Sequence, residues 1–150
     1  MSSRKRAELA ESLAREVRKF LAAAILYNEK VASAVGLNST DLQFIHLLEL
    51  GVASTPGELA RWSGLTTGGV TVVLDRLEKA GYVKRHPNPA DRRSVIVQPV
   101  TPAVAKLHPY YQSKGDLLMG AIQRFDNHQL QIILDFFTLT NSAANESNIS

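Results

Sequence analysis

The chain has 150 residues, of which 45% are hydrophobic, and it carries a formal net charge of +3 at pH 7. A chain of this length and composition can bury one sizeable core, and we expect a single domain over residues 1–150. Cysteine is absent, which excludes disulfide frameworks, thiolate metal sites and cysteine-based redox switching.

The start of the chain does not have the pattern of a secretory signal. It is basic at residues 4–6, but Glu8 and Glu11 stand where a signal would need an apolar run. No stretch is apolar for long enough to span a membrane. We therefore expect a cytoplasmic protein with no membrane partner.

The first predicted element is a long helix over residues 6–35, because its apolar positions recur every three or four residues without a proline. Gly36 is expected to end it. Thr40 and Gln43 then have the spacing of a capping box, which predicts a second helix that runs to about Leu50.

Residues 55–81 predict two short helices joined by a tight turn. Thr55 offers a capping hydroxyl, and Glu58 stands three residues later, where its carboxylate can reach back to the cap. Gly64 is expected to end the first helix in the left-handed conformation. Thr66 can cap the second helix, which Gly81 ends. The second helix has one predicted buried face, formed by Val70, Val73, Leu74 and Leu77.

Two short strands are predicted at residues 82–86 and 94–98, around an irregular loop that is rich in proline and asparagine. Pro99 is expected to distort the end of the second strand. A helix should begin at Thr101-Pro102 and bend or break around Pro109, which lacks a backbone donor. The last helix opens at residues 126–129, and a polar tail over residues 141–150 is expected to fray.

The charge is concentrated in one part of the chain. Residues 61–93 hold seven Lys or Arg residues against three acidic residues, a local net charge of +4. Such a stripe favours binding of a polyanion, although a solvated helix face would have the same composition.

Specific stretches of the sequence strengthen the nucleic-acid interpretation. Residues 64–71 read Gly-Leu-Thr-Thr-Gly-Gly-Val-Thr, residues 74–83 read Leu-Asp-Arg-Leu-Glu-Lys-Ala-Gly-Tyr-Val, and residues 91–94 read Asp-Arg-Arg-Ser, ahead of Thr101-Pro102. In these stretches, and in its order of elements, the chain resembles the multiple antibiotic resistance regulator (MarR) family.

The resemblance implies a mainly α fold with a small β-wing. A winged helix-turn-helix lobe over residues 40–100 would be flanked by N- and C-terminal dimerisation helices, over residues 6–35 and 102–140. It also implies a homodimeric transcription regulator, taken here as a repressor, that binds a pseudo-palindromic operator in double-stranded DNA and is released by a small aromatic or anionic effector. The residues themselves do not separate repression from activation.

A recognition helix reads base edges with its first turns, and its phosphate contacts flank them. The candidate residues on this helix are Thr66, Thr67, Gly68, Gly69, Thr71 and Arg76. The first five are small and uncharged, so direct readout should be modest. Two successive glycines favour a close approach of the helix backbone to DNA, whereas the alternative is that the threonines simply cap the helix.

The wing offers a second set of candidates. Arg92 and Arg93 can enter a narrow minor groove, and the resemblance favours Arg93 for insertion. Asp91 is expected to accept a hydrogen bond from a neighbouring arginine and so to orient the wing tip. Lys84 and Arg85 are predicted phosphate contacts. The alternative is a solvated cluster of loop charges.

The remaining predictions concern partners. The predicted dimerisation residues are Leu13, Val17, Leu130, Ile133, Leu134 and Phe137. The effector site is not specified, with Tyr27, His46, Tyr110 and Tyr111 as weak lining candidates. We expect no cofactor and no metal, because the four histidines lack ligand spacing, and we expect no enzyme. A winged-helix adaptor that binds protein instead of DNA is the alternative function.

Overall fold

The computed structural model describes the backbone of residues 3–147 and the side chains of residues 3–142. It has seven α-helices and two strands in this part of the chain. In order they are α1 (Ser3–Ala34), α2 (Ser39–Glu49), α3 (Pro56–Ser63), α4 (Thr67–Lys79), β1 (Val83–Pro87), β2 (Val95–Pro99), α5 (Thr101–Val104), α6 (His108–Ile122) and α7 (Asn127–Ser147). The mainly α fold with a two-stranded wing is therefore confirmed.

By their contacts the described residues form two compact units, with the boundary between Leu42 and Gln43 inside α2. The single-domain organisation expected from chain length stays a prediction. No single helix among residues 3–147 is long and apolar enough to cross a membrane, although α1 and α2 together, with a bend between them, have the required length and composition.

In the N-terminal unit, the start of α2 differs from the predicted capping box. The backbone N–H of Asp41 donates to Asn38 Oδ1 at 2.9 Å, and the backbone N–H of Asn38 donates to Asp41 Oδ2 at 3.2 Å. The cap is therefore Asn38, and the predicted pair of Thr40 and Gln43 was wrong. Asp41 is only 1% exposed, and a buried carboxylate needs such donors.

The helix-turn-helix of α3 and α4 forms as predicted. Thr55 Oγ1 accepts a hydrogen bond from the backbone N–H of Glu58, whose carboxylate accepts bonds from the backbone N–H groups of Thr55 at 3.0 Å and Ser54 at 2.6 Å. These bonds, the one from Ser54 first, lower the pKa of Glu58. Gly64 ends α3 with a left-handed φ of 68°. Thr66 Oγ1 caps α4 by accepting from the backbone N–H of Gly69.

The predicted buried face of α4 is confirmed. Its members are at most 5% exposed and comprise Val70, Val73, Leu74 and Leu77. Each fully buried aliphatic side chain contributes roughly 1.5–3 kcal/mol relative to an exposed one. Since α4 packs against α3 and β1, this burial determines which face of the helix points outward.

The wing strands begin and end one residue later than predicted. β1 and β2 are antiparallel, and their register pairs Val83 with Pro99 at one end and Pro87 with Val95 at the other. The expected distortion at Pro99 is absent, because the backbone N–H of Val100 continues the pairing with a 2.8 Å bond to the carbonyl of Tyr82. A proline at the last position of a strand removes no required donor.

The C-terminal helices follow the predicted boundaries with one exception. A 3₁₀ turn at Ala105–Leu107 interrupts the helix just before Pro109, which confirms the predicted break. The last helix, α7, is backbone-helical to Ser147, so the expectation of a frayed tail from residue 141 was wrong for residues 141–147; residues 148–150 lie outside the described part. Extending an existing helix requires no new nucleus, and each added residue gains one backbone hydrogen bond.

Two alanine substitutions should separate the role of Gly64 from that of an ordinary helical glycine. A Cβ at Gly64 or at Gly57 would meet no atom within 4 Å, but only Gly64 has a positive φ. We expect Gly64→Ala to lower the free energy of unfolding by roughly 1–2 kcal/mol. Gly57→Ala should raise it by about 0.4–1 kcal/mol. Urea denaturation of both variants measures the difference, and equal effects would contradict the assignment of Gly64 as the helix cap.

Candidate nucleic-acid interface

The first turn of α4 presents a small, uncharged surface. Thr66, Thr67, Gly68 and Thr71 are exposed there, and Gly69 is half-buried. The hydroxyl of Thr66 caps the helix, and that of Thr71 donates to the carbonyl oxygen of Thr67 at 3.0 Å. Both hydroxyls thus support the helix itself, which accords with the modest direct readout expected from these side chains.

Gly68 is not required by packing inside the protein. A Cβ at this position would meet nothing within 4 Å, and its φ lies outside the left-handed region. At Gly69 an added Cβ would lie 3.4 Å from Thr66 Oγ1, which is a close but ordinary contact. A helical glycine costs up to about 1 kcal/mol relative to alanine. No contact within the described chain requires a glycine at residue 68.

The wing tip is a short, hydrogen-bonded loop between Pro87 and Val95. Its ends are joined by a bond from the backbone N–H of Asn88 to the carbonyl of Ser94 at 3.3 Å. Asp91 Oδ1 accepts from the backbone N–H of Arg93 at 2.9 Å. Asp91 therefore contacts the main chain of the neighbouring arginine, and this bond holds the loop in shape without using the guanidinium.

Arg92 and Arg93 project their charge from this loop. Both residues are exposed, and within the described side chains neither forms an ion pair. A guanidinium on a braced loop loses less freedom on binding than one on a mobile loop. Lys84 on β1 and Arg76 on α4 are also exposed and lie in the same compact unit.

Arg85, a predicted phosphate contact, is hydrogen-bonded to two acidic residues of α4. Its Nη2 donates to Asp75 Oδ1 and to Glu78 Oε2, both at 2.6 Å, and its backbone N–H donates to Glu78 Oε1 at 3.0 Å. The bonds to Glu78 and then to Asp75 raise the pKa of Arg85, and the same contact lowers the pKa of Glu78. Arg85 therefore joins β1 to α4.

Helical spacing can offer Asp75 and Glu78 ion-pair partners only on α4 itself. Arg85 instead lies beyond the end of α4, seven residues after Glu78 and ten residues after Asp75. Helical spacing detects pairs three or four residues apart, so it could not find this one. The available signal was the presence of two carboxylates one turn apart ahead of a strand arginine.

Large apolar side chains are exposed on the helices predicted to dimerise. On α1 Leu13 is 52% exposed, and on α7 Leu134 and Phe137 are 58% and 48% exposed. Three further predicted residues are half-buried, namely Val17, Leu130 and Ile133. On α6, Leu117 is 70% exposed. Each of these helices thus carries an apolar face that the described chain leaves uncovered.

Two of the weak effector candidates contact each other. His46 Nε2 and the Tyr111 hydroxyl lie 3.1 Å apart, and their rings meet edge to face at 5.0 Å. Burial lowers the pKa of His46, although the nearby carboxylate of Glu49 opposes this shift. Tyr110 is 39% exposed, while Tyr27 is half-buried in the N-terminal unit. His46 is thus a hydrogen-bonded, half-buried histidine that bridges α2 and α6.

No group of three or more potential ligands is arranged to hold a metal ion among the residues that the structure describes.

Comparisons with known proteins agree with this architecture. The family model of the MarR family matches residues 35–94. The HTH-type transcriptional regulator YcgE of Bacillus subtilis is 35% identical over 137 residues, which cover 91% of this chain and 89% of that protein. The multiple antibiotic resistance protein MarR of Escherichia coli is 37% identical over 81 residues, or 53% of this chain and 56% of that protein.

Solved structures show the same fold. Apo MarR from E. coli has a TM-score of 0.59 at 22% identity, covering 85% of this chain and 95% of that one. A mutant of the same protein, complexed with operator DNA, has a TM-score of 0.55 at 22% identity, covering 86% and 93%. The regulator Tm0710 of Thermotoga maritima reaches 0.63 at 19% identity, covering 93% and 99%. With a winged helix-turn-helix and a relative matched over most of its length, this chain belongs to the MarR family of transcription regulators, which are not enzymes.

Proposed function

We propose that this protein is a homodimeric repressor that binds a pseudo-palindromic operator, with α4 in the major groove and the wing in the minor groove. Two features on one compact unit carry the proposal. The first turn of α4 contains two glycines, and the hydrogen-bonded wing tip carries two exposed arginines. E. coli MarR, whose fold this chain shares, has been solved with operator DNA. We expect such a regulator to work in the cytoplasm.

The exposed surface of α4 is better suited to a close approach of its backbone to DNA than to hydrogen bonds with base edges. Gly68 presents no side chain, so the helix backbone can come nearer to the base edges than any other residue would allow. The methyl groups of Thr67 and Thr71 suit contact with thymine methyls. Because no Arg, Asn or Gln stands in this turn, much of the sequence preference must come from DNA shape.

The wing supplies a contact that responds to DNA shape. A narrow minor groove has an enhanced negative potential, which attracts an inserted arginine even without base-specific bonds. Arg93 is our choice for insertion, because its backbone N–H is bonded to Asp91 and its position in the loop is thereby determined. Arg92, Lys84 and Arg76 would then contact the flanking phosphates.

The uncovered apolar faces support a dimer. Leu117, Leu134 and Leu139 are 70%, 58% and 72% exposed, and monomeric proteins rarely leave such residues together in water. A two-fold dimer would bury these faces and present two winged lobes to successive half-sites of a palindrome.

Release of DNA by a small aromatic or anionic effector completes the proposal. Its support is the resemblance to the family, together with a contact between α2 and α6 at the His46 and Tyr111 side chains, where an aromatic molecule would find ring partners.

The wing prediction is tested by removing one guanidinium. We expect Arg93→Ala to weaken binding to a duplex selected by the wild-type protein by about 1–3 kcal/mol and to relax its sequence preference. Arg124→Ala, which removes an equal charge from an exposed position after α6, should leave binding unchanged. Fluorescence anisotropy near physiological salt provides the affinities. A wild-type protein that selects no duplex would instead favour the protein-binding adaptor.

Gly68→Ala should have opposite effects on stability and on binding. The added methyl group meets no protein atom, so we expect the free energy of unfolding to rise by up to about 1 kcal/mol. The same methyl group should block approach to the major groove and weaken binding to the selected duplex. Gly120→Ala, also in open space but on α6, should gain stability without loss of binding. If Gly68→Ala binds as tightly as the wild type, close backbone approach is not part of recognition.

The dimer is tested on α7. A charge in a buried apolar interface is strongly unfavourable, so Leu134→Asp should convert a dimer to monomers and reduce affinity for a two-half-site duplex. Gln43→Glu adds the same charge at an exposed polar position on α2, outside the predicted dimerisation helices, and should leave the dimer intact. Sedimentation equilibrium measures the mass of each variant. A monomeric wild-type protein at micromolar concentration would remove the dimer from the proposal.

A further inference from the structure

Arg85 joins the two elements that the proposed function places on DNA. It lies in β1, whose hairpin carries Arg92 and Arg93 at its tip, and it binds carboxylates on α4, whose first turn faces the major groove in the proposal. Glu78 binds both the main chain and the side chain of Arg85. One carboxylate oxygen accepts a hydrogen bond from the backbone N–H of Arg85, and the other accepts from Nε at 3.1 Å and from Nη2 at 2.6 Å.

Apolar packing alone does not determine the angle between β1 and α4. Val83 is buried between its neighbours, and α4 packs on β1, but burial of apolar area has no preferred direction. Charge-assisted hydrogen bonds do depend on direction, and a planar guanidinium with two carboxylate partners restricts rotation as well as distance. The hydrogen bonds of Arg85 to Glu78 and Asp75 therefore restrict the angle between the wing and α4.

The charges at this place argue against a direct phosphate contact. Arg85 contributes +1, and Asp75 and Glu78 contribute −2 together, so the cluster has a net charge of −1. The Arg85 side chain is only 28% exposed, whereas that of Asp75 is 58% exposed. A phosphate approaching this cluster would meet a carboxylate before it met the guanidinium.

We propose that Arg85 is a positioning residue of the DNA-binding surface, which uses Glu78 and Asp75 to set the wing relative to α4 and does not itself bind phosphate. The proposal rests on the proposed function, because it concerns how the two DNA-contacting elements are held. It assigns the local acidic residues a role in recognition, although they would repel DNA.

The decisive variant removes the two acids and keeps the arginine. For Asp75→Ala combined with Glu78→Ala, a positioning role predicts that preference for the selected duplex over a scrambled duplex of equal composition falls by about tenfold, the effect of roughly one mismatched base pair. A phosphate-contact role predicts the reverse, because the freed guanidinium would tighten binding to both duplexes by a similar factor. The second result would overturn the proposal.

The control variant makes the same change of net charge elsewhere. Glu11→Ala with Asp116→Ala also removes two exposed acids, one on α1 and one on α6, and it should leave the preference ratio unchanged. An equal fall in that ratio in the control would attribute the effect to net charge and would also overturn the proposal.

A second measurement does not depend on the acidic variants folding. In Arg85→Gln, the slope of log affinity against log salt concentration should equal that of the wild type, while preference for the selected duplex falls. Loss of a phosphate contact would instead reduce the slope by about 0.9. That reduction would overturn the positioning role and leave the regulator function standing, whereas a wild-type protein that binds no duplex would remove both.

Discussion

The buried aliphatic face of α4 is the constraint on which the proposed DNA-facing surfaces depend. Val70, Val73, Leu74 and Leu77 are at most 5% exposed, so the helix cannot rotate about its axis without bringing several of them into water. The opposite side, with Thr67, Gly68 and Thr71, is thereby held outward. Burial of the opposite face is thus enough to keep this side of α4 exposed.

Hydrogen bonds made by two acidic side chains add directional constraints to this packing. The capping box of Thr55 and Glu58 determines where α3 starts, and the same carboxylate also binds the backbone N–H of Ser54. The carbonyl of Ser54 in turn accepts the backbone N–H of Val97 in β2 at 2.8 Å. One acidic side chain thus connects the helix start to the wing, and Glu78 makes a comparable connection from α4 to Arg85 in β1.

This arrangement also changes how the local charge should be understood. The net charge of +4 over residues 61–93 suggests a uniform basic stripe, but the structure divides it into two parts. Asp75 and Glu78 on α4 form a cluster with Arg85 on β1 that has a net charge of −1. The wing arginines, together with Arg76 and Lys84, remain exposed. One of the basic side chains of this stretch is therefore paired within the lobe, while the wing arginines stay exposed.

Much of this protein was determined by its sequence alone. The caps at Thr55, Thr66 and Asp126 and the glycine at residue 64 follow from bonds between residues within four positions of one another, which local patterns specify. The break before Pro109 follows from the backbone donor that a proline lacks. The buried face of α4 was equally readable, because helical periodicity is a local property.

Tertiary structure decided the rest. It brought the carboxylates of Asp75 and Glu78 to Arg85 and joined His46 to Tyr111. These contacts join residues that are seven to 65 positions apart. Partners at such separations meet only after the chain has folded, since their spacing carries no periodic signal.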